Sequence, residues 1–262
     1  MRIIQLTIVG WTFFLSGCGV GYNYALFMTK SNVGIDIDSR PPTAELSISR
    51  REGVIEPGFE NGQTLPVAAT FKAENTTLTS FFFGVNSMFG GGRAAAILAS
   101  CVQKPSAGED CKEADGGEIT LSKRPEGESF LGYRQQIPEA GTIRPFVFGT
   151  DTTFGFKVSW SGMTAQYPDS LKLGFNRKEF AFAPISGREG GCRPEDTEGF
   201  CVSMPSFLSG IDQSVASQWL AIQYDATYMQ FFATGSAAEY LASDPNIVER
   251  MKNTLKPQSQ DR

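Results

Sequence analysis

The chain contains no histidine. That removes histidine triads, histidine general bases and histidine-ligated metal sites. It has no excess of positive charge. Its 23 basic side chains face 28 acidic ones, a net charge of −5, which argues against a nucleic-acid binder, since those show a basic face or stripe. No G-x-S-x-G elbow is present, since neither Ser159-Trp160-Ser161-Gly162 nor Ser206–Gly210 matches it, and there is no Walker loop. Cysteine is scarce, at five residues in 262. What is abundant is aromatic and apolar material: 21 phenylalanines and 41% hydrophobic residues. That is ample for a packed core and too hydrophobic for disorder. The length fits one large domain or two small ones.

The N-terminus carries the most specific signal. Met1 and Arg2 form a minimal basic start. Ile3 to Leu15 is an apolar run broken by Gln5, Thr7, Gly10 and Thr12. At about 13 residues it has the length of a signal-peptide core and is too short to span a ~30 Å hydrocarbon layer. Leu15-Ser16-Gly17-Cys18 follows. This stretch resembles the lipobox of bacterial lipoproteins, in which an aliphatic residue and two small residues precede a cysteine. The resemblance covers residues 1–19. It implies a signal peptide over residues 1–17, acylation of Cys18 by diacylglycerol and palmitate-like chains, and attachment to the membrane. Each buried methylene contributes about 0.8 kcal/mol, so two or three chains hold firmly where one does not. Gly19 in place of an aspartate implies, by the same resemblance, the outer membrane, on its periplasmic face or at the cell surface.

The remaining cysteines, Cys101, Cys111, Cys192 and Cys201, are even in number, as expected in an oxidising compartment. Spacing favours local pairs, Cys101 with Cys111 and Cys192 with Cys201, across loops rich in Pro, Gly and acids. Cross-pairing of Cys101 with Cys192 or Cys201 is an open alternative. A four-cysteine zinc site fits less well, because zinc knuckles place only 2–4 residues between ligands.

The body, residues 18–262, reads as a single β-rich domain, mostly antiparallel, sandwich- or barrel-like, with helices at its C-terminal end. Val33, Ile35 and Ile37 alternate with polar residues or glycine. So do Ala44, Leu46 and Ile48, then Leu65 to Ala73, then Phe154 to Trp160. Period two marks a strand with one buried face. Shorter candidates are Glu118–Ser122, Arg144–Gly149, Ser170–Phe175 and Glu179–Ala183. Asn176, Arg177, Lys178 and Glu179 between the last two read as a polar hairpin tip. From about residue 212 the pattern changes. Val215, Trp219, Ile222, Ala226, Met229 and Ala233 step by 4, 3, 4, 3, 4, which predicts a helix capped at Asp212 and stopped at Gly235. A second helix is predicted from Pro245, behind Asp244, to Leu255.

Two further segments invite a chemical reading. Gly90-Gly91-Gly92-Arg93-Ala94-Ala95 fits a dinucleotide fingerprint, but no βαβ unit surrounds it, so a glycine loop beside a short helix is expected. Leu78–Val102 holds a single charge, Arg93, and is long enough to cross a bilayer. Its four glycines and central arginine favour a buried strand followed by a small-residue helix. Asp36 and Asp38 begin like a calcium loop, but Arg40 occupies the next ligand position, so they read as surface charges.

The sequence therefore nominates no catalytic, cofactor-binding or metal-ligating residue. It leads us to expect an outer-membrane lipoprotein that binds or scaffolds an envelope protein or glycan without catalysing a reaction. Trp219, Ile222 and Met229 are the candidate partner contacts. The alternatives are a polysaccharide hydrolase using paired carboxylates and a membrane-inserting subunit using Leu78–Val102.

Overall fold

A computed structural model describes residues 23–39, 42–76, 80–103, 116–128, 134–159, 168–218 and 223–255. The protein is mainly antiparallel β, with three α-helices among these residues, two of them near the C-terminus. Eight long strands make two four-stranded sheets. The first sheet contains β1 (Tyr24–Ser39), β2 (Pro42–Ile55), β8 (Val147–Ser159) and β9 (Ser170–Pro184), in the order β2-β1-β9-β8. The second contains β3 (Val67–Thr76), β4 (Ser80–Gly91), β12 (Phe207–Gln218) and β13 (Gln223–Thr234), in the order β13-β12-β4-β3. A third, small sheet is formed by β5 (Glu118–Leu121), β10 (Ser186–Glu189) and β11 (Phe200–Ser203). A two-stranded ribbon joins β6 (Glu126–Glu128) to β7 (Arg134–Gln136).

The sheets face each other with aligned strands. At one end, here called the base, Ala25 and Phe27 of β1 and Ala181 and Ala183 of β9 share a core with Phe89 of β4 and Phe207 of β12. The small sheet closes this end with Ile119, Leu121, Phe200 and Val202. Halfway along, Phe175 of β9 meets Val85 of β4 and Ile211 of β12. The strand ends Ser39 and Pro42, Thr76 and Ser80, Ser159 and Ser170, and Gln218 and Gln223 all lie at the end opposite the base, by strand direction and register. Each phenylalanine taken out of water at the base contributes about 1.5–3 kcal/mol. Phe27 and Phe89 add an edge-to-face contact, with centroids 5.8 Å apart.

Between the two hydrophobic layers lies a buried charge. Arg177 of β9 is 1% exposed. Its Nη2 donates to Glu179 Oε1 at 2.6 Å and to Ser209 Oγ of β12 at 3.2 Å, and its Nη1 donates to Thr152 Oγ1 of β8 at 3.1 Å. Ser209 donates to Glu179 Oε1 at 2.9 Å, and Thr29 of β1 donates to Glu179 Oε2 at 3.3 Å. Residues 176–179 are thus the middle of a fifteen-residue strand and not a hairpin tip. Arg177 and Glu179 are bonded across the sandwich through Ser209, Asn176 donates to Asn32 Oδ1 of β1 at 3.4 Å, and Lys178 is exposed on the outer side.

The seams between the sheets carry side-chain contacts in place of backbone pairing among the described residues, and the body is not a closed barrel. Phe148 of β8 stacks on Phe232 of β13 with centroids 3.9 Å apart. At the other seam Arg50 of β2 pairs with Glu52, donates to Ser87 Oγ of β4 at 2.6 Å, and lies 5.2 Å over the Phe71 ring of β3.

Glycines opposite aromatics recur along the ladders. Phe207 lies opposite Gly91, Phe180 opposite Gly149, and Phe231 opposite Gly210. A Cβ at any of these glycines would meet the ring at 2.1–2.4 Å. Gly92 is required for another reason. Its φ is +66°, and a Cβ there would lie 2.9 Å from the carbonyl oxygens of Met204 and Pro205. The triple glycine is therefore a packing device ahead of α1 (Arg93–Gln103), and Leu78–Val102 resolves, over its described part, into β4 and α1.

The helix predicted from residue 212 is corrected by the structure. Residues 207–218 and 223–234 are the antiparallel strands β12 and β13, and Phe207 pairs with Thr234 through to Gln218 with Gln223. The 4-3-4 apolar stepping arises from two strands read end to end. Ser209, Ile211 and Gln213 alternate toward the sandwich, and all three are buried. Gly235 begins a helix and does not end one. Its carbonyl accepts from Ala238 and Glu239 at the start of α2 (Ser236–Ala242). The second predicted helix stands as α3 (Pro245–Leu255), with Asp244 Oδ1 accepting from the Asn246 amide at 2.8 Å. It buries Ile247, Val248 and Met251.

Removing one member of the Arg177–Glu179 pair strands the other charge in the core. Arg177→Met or Glu179→Leu alone is expected to cost about 3–5 kcal/mol in urea unfolding, whereas the double variant recovers most of that loss.

Candidate functional site

Helices α1, α2 and α3 all pack on the second sheet. Met88, Leu208 and Ala233 from its outer side join Ile97, Leu98, Ala238 and Val248 in one cluster. The outer side of the first sheet has no such cover among the described residues, and its side chains fall into rows set by register.

Nearest the base, Ile55, Leu26, Phe182 and Val147 lie side by side across β2, β1, β9 and β8. In the next outward row Met28 and Phe180 lie between Gly53 and Gly149. Then come Arg51, Lys30 and Lys178, three adjacent cations, followed by Asp151 on the edge strand. Strands are ~4.8 Å apart, so the cations are close neighbours. Toward the base the open part of this face is apolar, with Met28 48% exposed and Phe180 44%, and Arg51 and Lys178 are exposed beyond it. A groove of about 440 Å³ runs along it between Met28, Phe180, Gly53 and the cations.

A second groove, of about 280 Å³, lies where α3 ends over the second sheet, lined by Lys72, Asp212, Arg250 and Thr254 among others. Arg250 Nη1 stands 3.4 Å from Asp212 Oδ2, and Thr254 Oγ1 donates to Asn86 Oδ1 at 3.3 Å. Its one carboxylate is held by an arginine. The carboxylates of the first groove, Glu52 and Glu179, are held by Arg50 and Arg177 in the same way.

The predicted site residues are dispersed. Cys192 and Cys201 are bonded to each other, as the spacing favoured, and tie the loop before β11 to that strand. Glu118 lies beside them, within 4.8 Å, but a sulfur pair committed to a disulfide offers no thiolate to a metal. Cys101 is buried on α1 against the helical cluster. Its expected partner Cys111 lies outside the described residues, as do Cys18, Trp219 and Ile222. Met229 is on β13, 38% exposed, with Arg250 Nη1 3.8 Å from its sulfur. In the sequence Trp219 and Ile222 fall between Gln218, the last residue of β12, and Gln223, the first of β13.

The row of cations escaped the sequence reading because Lys178 was assigned to a tip. The signal that could have found it is phase. Odd-numbered residues hold the inner side from Phe175 to Ala183, which places Lys178, Phe180 and Phe182 together on the outer side. At the base, Glu56 follows β2. Its Oε2 is buried without a hydrogen-bond partner, and burial raises its pKa above the usual carboxylate value, against a smaller lowering by a hydrogen bond with Thr64.

No family model matches the chain, and no curated protein or solved structure matches it either. None of the described helices is long and apolar enough to cross a membrane. That statement does not extend to strands.

Two measurements follow from these groups. Cys192→Ser with Cys201→Ser is expected to lower stability by about 2–3 kcal/mol, read by thermal or urea unfolding, with no further loss on adding reductant. Glu56 holds its proton more tightly folded than unfolded. Stability from this group therefore declines as pH rises from the ordinary carboxylate range through the raised folded value. Glu56→Gln should raise the melting temperature at neutral pH and flatten that part of the stability–pH curve. A lower melting temperature at pH 7 would contradict the assignment.

Proposed function

We propose that this protein is a lipid-anchored component of the bacterial outer membrane that binds or scaffolds another envelope component and catalyses no reaction. The carrying observation is the lipobox Leu15-Ser16-Gly17-Cys18, set only a few residues ahead of the first strand at Tyr24. The Cys192–Cys201 disulfide supports an oxidising compartment. The hairpin architecture supports a binding role, because it gives the body two unlike ends. The base end of β1 follows Cys18 by a few residues of sequence, and the far ends of β12 and β13 lie at the other end of the strands. On this reading a protein or glycan partner is met at that other end, with Trp219 and Ile222, which continue the chain from Gln218 to Gln223, as its apolar contacts. Met229, beside α3 on the flank of the body, is a weaker contact. Leu78–Val102 is spent on β4 and α1 and is not needed as a membrane-inserting segment.

Mass spectrometry of the native protein tests the anchor. The expected result is an N-terminus at Cys18 carrying a thioether-linked diacylglycerol and an amide-linked acyl chain. A bare thiol or an attached leader overturns the assignment. In-cell photocrosslinking from position 219 should capture one dominant envelope protein or glycan, and Cys18→Ser should abolish that capture by releasing the body. Equal capture from positions 219 and 229 would overturn the placing of the partner at that end.

A further inference from the structure

We propose that the outer face of the first sheet, at the base, is a docking surface for an anionic phospholipid bilayer. The proposal rests on Cys18 as the anchor, and adds to it the face by which the body lies on the membrane.

The first argument is covalent reach. Five peptide units separate Cys18 from Asn23, and each spans at most ~3.6 Å, so the base end of β1 is held within about 18 Å of the Cα of Cys18. What lies there is apolar and open. Ile143 is 99% exposed. It is pinned beside the start of β1 because the neighbouring Arg144 lies 4.5 Å over the Tyr24 ring and donates to the Ile185 carbonyl at 2.7 Å. Ile55 and Val147, on the edges of the first sheet, are 52% and 42% exposed. Met28 and Phe180 continue the patch along β1 and β9. Large apolar side chains clustered in water mark an interaction surface.

The second argument is the order of polarity along β1. Apolar residues occupy positions 26 and 28, and the cationic row Arg51–Lys30–Lys178 begins at position 30. Two residues of strand span ~7 Å. A surface-bound element buries its apolar side ~5–10 Å into the headgroup–acyl boundary, so with the strands inclined to the membrane and the base end lowermost the cations stand level with the phosphates. Like charges directly opposite one another on a sheet destabilise it. Asp151, opposite Lys178 on the edge strand, offsets part of this charge, and the net excess of cations in the row suits an external array of anions. A second copy of the chain would bring its own cations against these. A small free anion calls for converging donors, which a flat row does not supply.

Vesicle flotation tests this on the mature chain, from residue 18 onward, carrying Cys18→Ser so that no acyl chain contributes. Vesicles of phosphatidylethanolamine with phosphatidylglycerol should bind it, and phosphatidylcholine vesicles should bind far less. Binding should fall as salt rises. Lys30→Gln with Arg51→Gln and Lys178→Gln should lower the partition coefficient roughly fivefold per cation, on the order of 100-fold together. Ile143→Asp, at a fully exposed position that cannot compromise folding, should lower it several-fold. Equal binding to both vesicle types, or unchanged binding by the triple variant, overturns the docking face. So does dimerisation through this face without vesicle binding. Acylated Cys18 in the native protein with no vesicle binding overturns the docking face alone. Bare Cys18 with selective vesicle binding overturns the anchor and leaves the face supported by the vesicle data.

Discussion

The sandwich is organised around one guanidinium that water cannot reach. Arg177 sits on the inner side of β9, and its hydrogen bonds run to β8, to β12 and to its own strand's Glu179. A charge in that position is tolerable only with its partners in place. Because side chains alternate, a one-residue slip of β9 against β1 would carry Arg177, Phe175 and Ala181 to the outer side together. The buried pair therefore makes every neighbouring register costly. It also joins the sheets, since Ser209 of the second sheet bonds to both members of the pair. Arg50 plays a lesser version of the same part at the β2–β3 seam, where one edge of the guanidinium bonds Ser87 and its face covers Phe71.

Once the inner sides are fixed, the outer sides differ in kind. The second sheet gives its outer side to three helices, with Met88 and Leu208 sealed beneath them. On the first sheet no described helix covers Met28 and Phe180. There the ladder supplies its own cover at close range: Phe180 lies over Gly149, which has no side chain to pack for itself. The same pairing at Gly91 and Gly210 shows aromatic rings and glycines placed opposite each other to keep the pleat closed where a second bulky residue would not fit.

The fold class was legible in the sequence because alternation is a local property. Val33 to Ile37 and Leu65 to Ala73 carry their period whatever they pack against. The Pro245–Leu255 helix was legible for the same reason, since Asp244, Pro245 and the stripe Ile247, Val248, Met251 lie within eleven residues. Two readings failed where the decisive partner is far along the chain. Asn176–Glu179 looks like a turn until Ser209 and Thr152 are present to bond Arg177 and Glu179. Residues 212–234 show a helical stripe until the chain reverses between Gln218 and Gln223 and the two halves pair. The docking face was illegible for a related reason. Arg51, Lys30 and Lys178 come from three strands, and only the register makes them neighbours.

On the proposed reading, the short tether and the uncovered sheet are one design. A long linker would let the body tumble and leave its apolar base in water, where exposed patches of that kind invite association. A linker of a few residues confines the base to the membrane surface, so Ile143, Met28 and Phe180 have a place to go. Orientation then follows from covalent geometry together with the cation row, and neither suffices alone. The anchor sets the distance and leaves rotation about the tether free. The row of Arg51, Lys30 and Lys178 selects the rotation in which the outer side of the first sheet faces the bilayer at its base end, with the strands inclined to the membrane. The far ends of β12 and β13 then lie away from the membrane. That arrangement holds them at a fixed bearing, which a scaffold needs to meet its partner in one geometry.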